Sequence, residues 1–164
     1  MSARSLIRAG AVLGVIGGGL RVVASFAPRL IASAAARTWL YVAIDTCLIA
    51  GLLSIYVPGR RRIRAVGRVG AWLALVGVLA IRIGPVLTRI DLYPVAAAAV
   101  AVGVVALAFS EWRANRMAAW IPLTFVLSLV FGSIGTLIAG AGTLFIISGM
   151  LFGSAFSAMA VTAY

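Results

Sequence analysis

Apolar residues run along this chain in six long blocks, and most of the charged residues lie in the short segments between them. Each block is close to the ~20 residues that an α-helix needs to cross the hydrocarbon core of a bilayer. The pattern therefore predicts an all-α fold, a polytopic integral membrane bundle that forms one domain over residues 1–164. We expect six transmembrane helices, at 6–27, 38–57, 66–87, 92–110, 118–138 and 143–162.

The last two helices are predicted from a segment without any charge, residues 117–164. As a single helix this segment would extend about 72 Å, far beyond a hydrocarbon core of about 30 Å. The segment must therefore fold back, and the Ala/Gly stretch at 139–142 is the natural turn. A re-entrant segment over 139–164 is the alternative to a full sixth span.

Proline residues support several of the predicted boundaries. We expect Pro28 and Pro58 to follow the first and second helices, and Pro85 to lie near the end of the third. Pro94 and Pro122 fall near the starts of the fourth and fifth helices, where the missing N–H is harmless. Pro28 also disfavours signal-peptide cleavage after the small residues that precede it, so we interpret the first block as a retained helix.

The composition requires lipid as the solvent for most of the surface. Hydrophobic residues make up 64% of the chain and charged residues 10%, against about 25% charged residues in an ordinary soluble domain. A soluble protein of this length could not bury that much apolar surface.

The net charge is +11, and all fourteen basic residues are arginines, because the chain has no Lys and no His. The arginines lie between apolar segments, so we expect the lipid bilayer with its anionic lipids as the partner, and no nucleic acid. Nine arginines fall in the N-terminus and the second and fourth loops: Arg4, Arg8, Arg60, Arg61, Arg62, Arg64, Arg68, Arg113 and Arg116. The first and third loops hold three: Arg29, Arg37 and Arg89.

By the positive-inside rule, this asymmetry predicts that both termini are cytoplasmic. We expect the protein in a bacterial or archaeal cytoplasmic membrane. The segment 60–68 holds five arginines and no acid, and we interpret these arginines chiefly as determinants of the membrane topology. Binding of anionic lipid or of an acidic cytoplasmic partner is the alternative for Arg60, Arg61, Arg62, Arg64 and Arg68.

Three ionisable residues fall inside predicted helices: Arg21, Asp45 and Arg82. By helical rise, all three lie roughly 8–10 Å below the outer surface. Charges in lipid are costly and should face protein or water, so we expect an Arg–Asp–Arg cluster. A structural ion pair, a site for an anion or lipid headgroup, and arginines that reach out to headgroups all remain open. Such a site could extend to Arg89, Asp91 and Tyr93.

Catalytic groups are scarce in this sequence. Without His, with the single cysteine Cys47 and with three acids, we expect no metal site and no cofactor. Glu111 is expected to pair with Arg113 or Arg116 at the inner interface. An intramembrane hydrolase that uses Asp45 and Asp91 is a minor alternative.

Small residues recur every four positions in three of the predicted helices and allow close helix packing. These stripes are Gly10-Gly14-Gly18, Ser128-Gly132-Thr136-Gly140 and Gly149-Gly153-Ser157. We expect them to pack within the chain, and any stripe that faces lipid would contact another subunit or a second copy. Among function classes, the sequence favours a non-catalytic membrane subunit or scaffold. A small carrier or ligand-binding protein is the alternative.

Overall fold

The computed structural model of the protein describes residues 2–60, 63–88, 92–138 and 142–162. Over these residues the chain forms seven helices and no strand. Six of the helices, all except the four-residue α2, are long and apolar enough to cross a membrane. The helices are α1 (Ala3–Ala24), α2 (Ala27–Leu30), α3 (Ala34–Gly59), α4 (Ala65–Thr88), α5 (Tyr93–Arg113), α6 (Trp120–Leu137) and α7 (Gly142–Val161).

The predicted all-helical class and the six long apolar helices are confirmed, but several boundaries differ. Serine caps explain two early starts. Ser2 Oγ accepts a hydrogen bond from the Ser5 amide at 3.3 Å, so α1 begins at Ala3 rather than at residue 6. Ser33 Oγ does the same for Ala36, and α3 begins at Ala34 rather than at residue 38. Such caps satisfy amides that the first helical turn leaves unpaired.

The expectation that Pro58 follows the second helix is wrong, because α3 continues through it to Gly59. Proline in the last turn removes only one helical hydrogen bond. Likewise, α5 runs to Arg113 rather than to residue 110, and ends where Asn115 adopts a φ of 54°. The Arg116 amide then donates to the Glu111 carbonyl at 3.0 Å. This left-handed turn is a Schellman ending.

The uncharged C-terminal segment forms two antiparallel helices. Gly132 of α6 lies beside Ser148, and Gly135, further along α6, lies beside Leu144. The later of these two helices, α7, is continuous over 20 residues, which favours a full sixth span over a re-entrant segment. The predicted turn lies outside the described residues except for Gly142, the first residue of α7.

The long helices pack in a closed ring in the order α1, α3, α4, α5, α6, α7, with α7 beside α1. Contacts are most extensive between α4 and α5 and along the series α3–α1–α7–α6. We call these parts the α4–α5 hairpin and the four-helix unit. The seams between them, α3–α4 and α5–α6, are thinner.

The middle of the ring is filled by apolar side chains. Helices α3, α4, α5, α6 and α7 all contribute to one buried cluster. Its larger members include Leu48, Leu52, Ile55, Leu75, Val78, Val104, Leu107, Phe125, Phe156 and Met159.

Two of the small-residue stripes join α1 to its neighbours, so their packing is intramolecular. Gly14 lies between Gly51 of α3 and Ala160 of α7. A Cβ on Gly18 would come within 2.4 Å of the Gly153 carbonyl oxygen, so the backbones of α1 and α7 touch at this point. In the stripe on α6, Thr136 is exposed, and Gly140 lies outside the described residues.

Candidate functional site

Two of the three predicted site residues form an ion pair across the α3–α4 seam. Arg82 Nε donates to Asp45 Oδ2 at 2.5 Å. The two helices run antiparallel, which brings the middle of α3 beside the last turns of α4. The Asp45 side chain is 16% exposed and the Arg82 side chain 32%, so the carboxylate is the more enclosed partner. Each charge thereby has a counter-ion where lipid could supply none.

Arg21 lies near this pair without joining it. Packing of Gly17 against Cys47 sets the last turns of α1 beside this part of α3. The Arg21 guanidinium attracts the Asp45 carboxylate electrostatically. Among the described residues, however, no carboxylate lies within ion-pair distance of Arg21. The cluster therefore contains one close pair and one arginine at longer range, with one positive charge in excess.

The proposed extension of this cluster is described only at Tyr93, the exposed first residue of α5. Arg89 and Asp91 lie outside the described residues. The geometry that a hydrolase would need, Asp45 close to Asp91, therefore falls outside them as well. Asp45 itself is engaged by Arg82.

The opposite end of the bundle carries the basic loop. Arg60, Arg64 and Arg68 are exposed around the end of α3 and the start of α4, while Arg61 and Arg62 lie outside the described residues. We call this the Arg-rich end. Its described arginines are Arg4, Arg8, Arg60, Arg64, Arg68, Arg113 and Arg116.

A second ion pair lies at the Arg-rich end and is more deeply buried than the sequence indicates. Glu111 Oε2 lies 3.0 Å from Arg116 Nη1, and the Glu111 side chain is 2% exposed. Of the two partners that the sequence allowed, the structure selects Arg116. The Schellman turn at Asn115 reverses the chain, so that Arg116 returns over the last turn of α5.

This second pair also touches α3. A Cβ on Gly59 would come within 2.4 Å of Arg116 Nη1 and 3.0 Å of Glu111 Oε1. Glycine at position 59 therefore lets the pair pack on the end of α3. Next to it, the Ser110 hydroxyl is buried beside Gly67 and has no hydrogen-bond partner among the described residues.

In the part of the chain that the structure describes, no three His, Cys, Asp or Glu side chains come together as metal ligands would. Cys47 is half-buried on α3, with its Cβ against Gly17. Both clusters pair opposite charges, and each joins an end of the α4–α5 hairpin to α3. No protein-family model, curated protein or solved structure matches the chain.

Proposed function

We propose that this protein is a non-catalytic membrane subunit or scaffold, a six-helix block held in the bilayer. The observation that carries this proposal is the filled middle of the ring. Phe125 and Phe156 are 2% and 0% exposed there, and they pack with leucines and valines from the surrounding helices. A carrier needs a path along which its substrate can move, and close-packed side chains obstruct such a path.

The use of the acids supports the same proposal. Asp45 and Glu111 are each bound to an arginine, and each pair lies where the α4–α5 hairpin meets α3. Ion pairs at two ends of a thin seam fix the hairpin against the four-helix unit. In this function their role is to hold the block in one shape.

In this proposal both termini are cytoplasmic, since the N-terminus lies at the Arg-rich end, α7 runs antiparallel to α1 toward that end, and arginine is retained on the cytoplasmic side. The membrane is a bacterial or archaeal cytoplasmic membrane, and anionic lipids surround the basic end. An alkaline phosphatase fused after Thr162 should be inactive, whereas one fused within the loop before α5 should be active. Activity of the first fusion would reverse the orientation.

A partner would contact the block through larger side chains of its outer surface. Glycines 10, 14 and 18 are already in contact with α3 and α7 and are not free to receive another helix. The proposal therefore does not depend on an exposed glycine stripe.

Native mass spectrometry of the protein, extracted gently from its own membrane, tests this function. A second polypeptide, or a second copy of the chain, in fixed stoichiometry is the expected result. A lone chain that carries a small anion or lipid in stoichiometric amount, and loses it in Arg82→Ala, would contradict the proposal.

The second candidate function is a carrier or binding protein for an anion or lipid headgroup. The specific observation in its favour is Arg21, a charged residue of a spanning helix that is not in a close ion pair with Asp45. The remaining positive charge suits an anion, because arginine binds phosphate and carboxylate oxygens in a forked geometry. This candidate predicts that Arg21→Gln abolishes anion binding and leaves the unfolding midpoint unchanged.

A further inference from the structure

A groove of about 540 Å³ runs along the outer surface of the α3–α4 seam at the Arg-rich end. The Asp45–Arg82 ion pair closes the seam further along α4. Between that pair and the basic loop, the two helices meet loosely enough to leave the groove open. Its lining residues are Tyr56, Arg68, Val69, Trp72, Leu73 and Val76.

The polar end of this groove is positively charged. Arg68 lines it, and Arg64 is the residue just before α4, four positions earlier in the chain. Both side chains are exposed. The described acids, Asp45 and Glu111, are paired with other arginines, so neither neutralises Arg68.

The rest of the groove is apolar. From Arg68 to Val76 the surface extends about 12 Å along α4, the length of a substantial part of an acyl chain. Val69, Leu73 and Val76 are exposed along it. Tyr56 and Trp72 form its aromatic wall, with their rings edge to face and their centroids 6.3 Å apart. Tyrosine and tryptophan favour the level of the headgroups, where one end of the ring is apolar and the other polar.

We propose that this groove is a binding site for an anionic phospholipid. Arg68 binds the phosphate oxygens of the headgroup, and one acyl chain lies along the groove against Trp72. An acidic protein segment would match the arginines but not the 12 Å apolar surface that continues from them. Charge at one end and aliphatic side chains at the other match the two parts of a phospholipid.

Quenching of Trp72 fluorescence by brominated lipid tests the site. The protein used is the full chain with Trp39, Trp112 and Trp120 replaced by Phe, so that Trp72 alone reports. All three replaced side chains are exposed. The protein is reconstituted in phosphatidylcholine vesicles that contain a fixed minor fraction of either dibrominated phosphatidylglycerol or dibrominated phosphatidylcholine.

We expect dibrominated phosphatidylglycerol to quench Trp72 more strongly than dibrominated phosphatidylcholine. In Arg68→Gln, the preference in affinity for the anionic lipid should fall about fivefold, which is the contribution of one arginine at a membrane surface. Arg68→Lys should retain most of the preference. Arg113→Gln, an exposed arginine of the same end that does not line the groove, should leave it unchanged.

Equal quenching by the two lipids in the parent protein would overturn the proposal. So would an equal loss in Arg113→Gln, which would indicate bulk surface charge rather than a site. Weak quenching by both lipids, with Trp72 shielded, would mean that a protein segment covers the groove and would also overturn it. Circular dichroism of each variant confirms that the helices are retained.

Discussion

Arg82 of α4 donates a hydrogen bond from Nε to Asp45 of α3, and this contact joins the α4–α5 hairpin to the four-helix unit on the side away from the Arg-rich end. At the Arg-rich end, Arg116 and Glu111 pack on Gly59, the last residue of α3. One ion pair therefore lies at the middle of α3 and the other at its C-terminal end. The α3–α4 seam is thinner than the α1–α3 and α4–α5 interfaces, and the groove at Trp72 opens beside it.

The first prediction concerns the buried carboxylate of Glu111. Arg116→Ala should lower the free energy of unfolding by about 2 kcal/mol, less than for a fully buried pair because a third of the Arg116 side chain is exposed. Glu111→Gln in the same chain should recover part of the loss, because it removes the unpaired charge. SDS titration monitored by circular dichroism gives the unfolding free energy.

The matched control for this prediction is Arg113→Ala, which removes an exposed arginine from the end of the same helix. Its effect should stay within about 0.5 kcal/mol, as for most surface substitutions. Equal effects of the two arginine variants would show that Arg116 contributes only surface charge.

A second prediction compares two adjacent glycines of α1. Gly18→Ala should destabilise the protein by about 1–3 kcal/mol, because the new Cβ would clash with the Gly153 carbonyl oxygen. This oxygen belongs to the backbone and cannot move aside as the end of a flexible side chain could. Gly19→Ala meets nothing within 4 Å and should stabilise the helix by up to about 1 kcal/mol. Thermal unfolding in detergent should move in opposite directions for the two variants; a shift in the same direction would refute the close α1–α7 contact.

A third prediction concerns two serines that join α6 to α7. Ser128 Oγ donates to the Ser148 carbonyl at 2.9 Å, and Ser148 Oγ donates to the Ser128 carbonyl at 2.8 Å. A double-mutant cycle of the two Ser→Ala changes should give a coupling energy of about 0.6 kcal/mol. Ser133→Ala, on the exposed face of α6, should show no coupling with Ser148→Ala. Absence of coupling in the first cycle would contradict the reciprocal geometry.

The six helices could be predicted because lipid allows few alternatives. A spanning segment must satisfy its own backbone hydrogen bonds, so an apolar block of sufficient length is a helix. The boundaries were harder, since they depend on a few local groups. Ser2 and Ser33 extend two helices at their starts, and Asn115 ends α5 by a turn that leaves no trace in the apolar pattern.

The Asp45–Arg82 contact agrees with the expectation of a cluster, because depth along consecutive helices brings the two residues to the same level. The sequence predicts Arg21 in the same cluster, but Arg21 lies at longer range from Asp45. Depth alone does not fix the rotation of a helix about its axis. In a soluble helix the polar face indicates that rotation, whereas lipid-facing and buried positions here are both apolar.

The burial of Glu111 and the groove beside Trp72 could not be predicted for a related reason. Each depends on contacts between residues of different helices, which the order of residues along the chain does not reveal. Gly59, the residue that admits the Glu111–Arg116 pair, lies more than fifty residues before it in the sequence. Its neighbour Pro58 even suggested that the helix had already ended.

The most direct test of the account is a double-mutant cycle at Asp45 and Arg82, measured as unfolding free energy in SDS for the intact protein. We predict that Arg82→Ala destabilises the protein more than Asp45→Ala/Arg82→Ala does, with a coupling of about 1–2 kcal/mol, between the values for exposed and buried ion pairs. Arg29→Ala, an exposed arginine that lies apart from the seam, should have no effect. If Arg82→Ala instead unfolds like the parent protein and loses a bound anion, the pair is part of a ligand site, and the account of a structural membrane subunit is wrong.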